Sequence, residues 1–61
     1  MNFKQIEKLI THDGWYLAAT HGSHCQYKHH HKKGKVTIPK HGKKDIPLKT
    51  VKSILRQAGL E

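Results

Sequence analysis

A chain of 61 residues has room for one domain and a thin core, since a fold of this size buries only about 60% of the surface its unfolded form exposes. A deep pocket enclosing an organic cofactor is not expected on so small a body, so any chemistry belongs on an open surface that suits a large, extended substrate. Twelve Lys and Arg against four Asp and Glu give a formal charge of +8, which favours polyanions: nucleic acid first, then an acidic protein or an anionic membrane surface.

In chain order, Phe3, Ile6, Leu9 and Ile10 recur at helical spacing and predict a helix over 3–13. Asn2 is placed to cap it, Gln5 stands three residues on as in a capping box, and Gly14 follows as a stop. Trp15 to Thr20 alternates weakly, with Trp15, Leu17 and Ala19 on one side, and His21-Gly22-Ser23 supplies turn chemistry. His24 to His29 alternates again, with Cys25 and Tyr27 on one face and His24, Gln26 and Lys28 on the other. A basic tip from His30 to Gly34 leads to Lys35–Pro39, where Val36 and Ile38 share a face. Three short strands joined by tight turns predict an antiparallel meander.

Lys40 to Lys44 reads as a basic loop containing Gly42. Val51, Ile54, Leu55 and Ala58 then repeat the pattern of an amphipathic helix, approached through Pro47 and ended by Gly59. The result is an α+β fold of order α-β-β-β-α, a three-stranded antiparallel sheet with two helices packed on one face. Trp15, Leu17, Cys25, Tyr27, Val36 and Ile38 are expected to face the helices, leaving His24, Gln26 and Lys28 on a bare second face.

Four pieces of this chain fall in a familiar order and spacing: Gly14-Trp15, Gly22-Ser23-His24, Pro39-Lys40-His41-Gly42, and Ser53-Ile54-Leu55-Arg56-Gln57-Ala58-Gly59. In this combination the chain resembles the HicA toxins over nearly its whole length. The resemblance implies a fold like that of double-stranded RNA-binding domains and a toxin of a type II toxin–antitoxin system. It also implies cleavage of messenger RNA, hence inhibited translation and growth, and neutralisation by a HicB-type antitoxin. The histidine of the Gly-Ser-His triplet is that family's catalytic residue, which corresponds to His24.

The chemistry is consistent with elementary principles. RNA is cut without metal when a base removes the 2′-hydroxyl proton and the oxygen attacks the neighbouring phosphate. Imidazole suits this because its ordinary pKa, about 6.5, lies near neutral pH. Surrounding positive charge favours a neutral imidazole and stabilises the phosphorane, and Lys28 is the first candidate for the latter role. Gly22 holds the turn, and the Ser23 hydroxyl could orient a phosphate or the imidazole. His41 could protonate the leaving oxygen, help to bind phosphate, or serve structure alone. Lys40, with Lys43 and Lys44, either tracks phosphates or simply solubilises the chain.

The remaining histidines and the cysteine need no chemistry to explain them. A histidine on an exposed strand is ordinarily a solvated polar residue, and His29-His30-His31 reads as a solvated hairpin tip rather than a metal site. Successive strand residues point to opposite faces, and structural zinc takes four ligands, usually with cysteines. Cys25 is the only cysteine, so it forms no internal disulfide, and it is expected to be a small buried hydrophobe. No cofactor is expected. With no apolar run long enough for a signal peptide or a bilayer span, the chain reads as cytoplasmic. A noncatalytic RNA-binding module of the same fold is the competing function, and a metal-sensing or metal-storing protein is the third.

Overall fold

Asn2 starts the first helix by a reciprocal exchange: its Oδ1 accepts from the Gln5 amide at 2.9 Å, and Gln5 Oε1 accepts from the Asn2 amide at 2.9 Å. The computed structural model describes residues 1–61, and the capping box expected from the sequence opens α1 (Phe3–His12). After α1 come β1 (Tyr16–His21), β2 (His24–Lys28), β3 (Val36–Pro39) and α2 (Leu48–Gln57). The three strands form one antiparallel sheet in the order β1-β2-β3, so the α-β-β-β-α arrangement holds.

Both helices end in the same way. At α1 the Gly14 amide donates to Thr11 O at 3.0 Å and the Trp15 amide to Ile10 O at 3.1 Å. At α2 the Gly59 amide donates to Arg56 O at 3.1 Å and the Leu60 amide to Leu55 O at 2.8 Å. These are paired Schellman motifs, which satisfy the last helical carbonyls and turn the chain sharply. At α1 the turn drops Trp15 into the core, 2% exposed, with its indole N–H donating to Ala58 O at 3.3 Å.

The core comprises Phe3, Ile6 and Ile10 of α1, Trp15, Cys25 and Tyr27, Val36 and Ile38 of β3, Ile46, and Val51, Ile54 and Ala58 at α2. Fully burying an aliphatic or Phe side chain contributes about 1.5–3 kcal/mol, so these few residues carry most of the fold's stability. Ile46 joins them from the loop before α2, where its amide donates to Met1 O at 2.7 Å and an isolated bridge pairs Asn2 with Asp45. No periodic pattern marked this residue.

The structure corrects three details of the expected core. Leu9 turns outward at 43% exposure, so the buried stripe of α1 is narrower than its hydrophobic periodicity. Ala19 does not share a side with Leu17, because the register shifts between them; Leu17 pairs with Tyr27, and Ala19 pairs with Gln26 on the opposite face. An extra residue in one strand reverses the facing of everything after it. Leu17 itself points to the helix side but is 52% exposed, since both helices pack against β3 and leave the β1 edge uncovered.

Candidate functional site

β1 and β2 are joined by the two residues Gly22 and Ser23, and His21 pairs directly with His24 across the hairpin. Gly22 has φ +60, and no non-glycine residue has positive φ. Positive φ at the first central position alone is the signature of a type II′ turn, whose twist matches the strands it joins. A Cβ at Gly22 would meet nothing within 4 Å, so glycine is required there by backbone conformation rather than by space.

His24 opens β2 and is exposed. Cys25 and Tyr27 lie in the core on one face of β2, so His24, Gln26 and Lys28 occupy the other, as the alternation predicted. Pro39 of β3 flanks His24 on the side away from His21. The Lys40 amide donates to Ser23 O at 2.6 Å, tying the end of β3 to the Gly22-Ser23 turn. Turn and loop are thereby held as one unit around His24.

The structure does not bring every candidate to this point. The Lys40 ammonium lies 5.9 Å from the centre of the Phe3 ring, on the helix side of the sheet. Only its backbone therefore serves the turn. Lys28 shares the face of His24 but stands four residues along β2, roughly 13 Å away at 3.3 Å per residue. His41 is exposed in the loop after β3, its carbonyl accepting from the Lys44 amide at 3.2 Å. His21, which the sequence reading used only as a turn residue, is the side chain directly opposite His24. The signal was available: a two-residue turn always sets its two flanking residues face to face.

The histidine tract is only in part the solvated tip expected: His30 and His31 are exposed, but His29 is anchored. His29 is half-buried, edge-on to Trp15 with ring centres 5.2 Å apart. Its Nδ1 accepts from the amides of His31 at 3.0 Å and Lys32 at 3.1 Å, which leaves Nε2 to donate to Asp13 O at 2.8 Å. His30 stacks on Tyr16 at 4.9 Å. Lys32 Nζ donates to Asp13 Oδ2 at 2.6 Å and to Ala58 O at 3.0 Å, joining the ends of both helices. Hydrogen bonding from Lys32, aided by its charge, holds the Asp13 carboxyl below its ordinary range. No three His, Cys, Asp or Glu side chains gather where they could share an ion.

A groove of about 580 Å³ lies between α1 and the uncovered side of β1, with Phe3, Leu17 and Cys25 as its apolar lining and Lys4, Lys40 and Lys43 at its edge. It is on the opposite side of the sheet from His24. Below it the Tyr27 hydroxyl donates to the Glu7 carboxylate. Burial, reinforced by this bond, pushes the Tyr27 phenol well above its ordinary value and keeps it a neutral donor. Cys25 is buried, as expected for a small hydrophobe.

A family model described as the HicA toxin of bacterial toxin–antitoxin systems matches residues 3–60. No curated protein matches the chain. The matched span contains both helices, all three strands and the His21–His24 hairpin.

Proposed function

The chain belongs to the HicA toxin family, the toxin side of bacterial toxin–antitoxin pairs, and on that premise we propose that it is a metal-independent endoribonuclease acting on messenger RNA. The observation that supports this most is the position of His24: the last residue of the Gly22-Ser23-His24 triplet, exposed on the helix-free face beside a two-residue turn. A long RNA strand can lie across such a face, whereas a small metabolite would find no enclosure there.

In this reading His24 takes the proton from a 2′-hydroxyl. The 2′-oxygen attacks the adjacent phosphorus, and the bond to the 5′-oxygen breaks, leaving a 2′,3′-cyclic phosphate and a 5′-hydroxyl end. Lys28, further along the same face, holds a phosphate some way from the one being cut. In the same reading Ser23, within the turn, and His41, exposed in the loop after β3, serve as phosphate contacts, and Lys40 supports the turn through its amide. A HicB-type antitoxin with acidic side chains would silence this site by covering the open face, and charge complementarity would speed its approach.

The test is cleavage of an all-DNA oligonucleotide beside the same oligonucleotide carrying one ribonucleotide, each with and without EDTA. Cutting at the single ribonucleotide, unaffected by EDTA and leaving a cyclic phosphate, is the expected result. Cutting of all-DNA, or activity lost to EDTA and restored by magnesium, would contradict the mechanism. Binding without cutting would favour the noncatalytic RNA-binding module.

A further inference from the structure

We infer that His21 is the second catalytic residue of the site, the general acid that protonates the departing 5′-oxygen. The inference rests on the ribonuclease reading above and extends it, because cutting RNA at a phosphodiester requires two proton transfers and His24 performs one. Three placements carry it. His21 pairs with His24 in the strand register, the two residues flank a two-residue turn, and both are exposed. Side chains paired this way share a face of the sheet, with Cβ atoms about 4.5–5.5 Å apart. His24 lies opposite buried Cys25 in the alternation, so both imidazoles stand on the helix-free face.

The turn sets this pairing. The glycine conformation at Gly22 and the 2.6 Å bond from the Lys40 amide to Ser23 O hold both ends of the hairpin in register. His24 lies on the central strand, between β1 and β3, and His21 on the edge strand outside it. A phosphodiester lying across the pair meets His24 with its 2′-oxygen and His21 with its 5′-oxygen, and the leaving strand departs over the open edge. His41, by contrast, lies beyond the end of β3, past its last paired residue.

The proton balance closes on these two side chains. Neutral His24 accepts the 2′-hydroxyl proton as the O2′–P bond forms. Protonated His21 gives its proton to the 5′-oxygen as the P–O5′ bond breaks. The pair ends with its protons exchanged, and solvent resets it.

A substrate whose leaving group needs no proton provides the test. In RNA with a bridging 5′-sulfur at the cleavage site the departing thiolate is stable unprotonated, so loss of an acid no longer matters. His21→Ala should cut ordinary RNA at least about 10²-fold more slowly than wild type and cut the 5′-thio substrate near the wild-type rate. His21→Gln, which keeps a polar side chain but cannot deliver a proton, should behave the same, and His24→Ala should be slow on both substrates. Wild-type rates from both His21 variants on ordinary RNA would overturn the inference. So would equal slowing on both substrates, or sulfur rescue of His41→Ala in place of His21. If wild-type protein cuts neither substrate, the ribonuclease reading falls and this assignment with it.

Discussion

The two ends of β2 are built in contrasting ways. Beyond Lys28 the chain is clamped: His29 uses both ring nitrogens, Lys32 bridges the ends of both helices, and Trp15 packs beneath. At the His24 end there is a two-residue turn, two exposed imidazoles and one amide tie to β3. Histidine serves structure at the first end and stands exposed at the second. With so thin a core, the clamp adds polar ties where apolar area is short, and the open end leaves its side chains unengaged.

The largest effect expected from breaking this contrast is His24→Ala, which should lower RNA cleavage about 10²- to 10⁴-fold while shifting stability by less than about 0.5 kcal/mol. Cleavage rates measured beside thermal melting check both halves, and an active variant would remove His24 from the mechanism.

At the clamped end the order of effects should reverse. Gly14 has φ +104, and a Cβ there would come within 2.7 Å of His29 Nε2. Gly14→Ala should therefore cost about 1–3 kcal/mol from backbone strain alone, and more from the collision. For a domain near this size each kcal/mol lowers Tm by about 4–8 °C, with cleavage by the folded protein retained. In a His29→Ala background the collision disappears, so the same substitution should cost measurably less. A double-mutant cycle in melting experiments tests that coupling, and strict additivity would show that the ring does not constrain Gly14.

His29→Ala alone should be milder, about 1–3 kcal/mol, because it strips partners from the Asp13 carbonyl and two amides that water can partly replace. Denaturant melts measure this loss. An unchanged midpoint would mean the clamp contributes nothing.

The smallest effect is electrostatic. Lys32 holds the Asp13 carboxyl below its ordinary value of 3.8, so the pair contributes stability that is present above that pH and fades as pH falls through the lower folded-state value. Asp13→Asn should remove that part of the acid sensitivity, which acid titration of the melting temperature would show as a shallower decline. The effect should be modest and shrink with salt, as the pair is partly exposed.

Much of the fold was legible because the deciding signals are local. Asn2 with Gln5, Gly14, Gly59 and the apolar spacing in both helices act within a few residues. The alternation of His24 to Lys28 sets facing without reference to the rest of the chain. The same locality placed His24 on the open face. Leu17 and Leu9 misled, since periodicity shows which way a side chain points and not whether anything covers it. Ala19 misled because a single extra residue in a strand leaves no compositional trace.

What the sequence determined by itself is therefore the set of elements, their order, their caps and the facing of β2, all consequences of chain geometry over one or two turns. Tertiary structure alone decided the rest: that the helices cover β3 and leave β1 bare, that Lys40 turns its charge toward Phe3, that Ile46 enters the core, and that His29 becomes a bracket between Asp13 and Lys32. Each depends on contacts between residues far apart in the chain, where packing and hydrogen-bond satisfaction choose among conformations that local preference leaves nearly equal in energy.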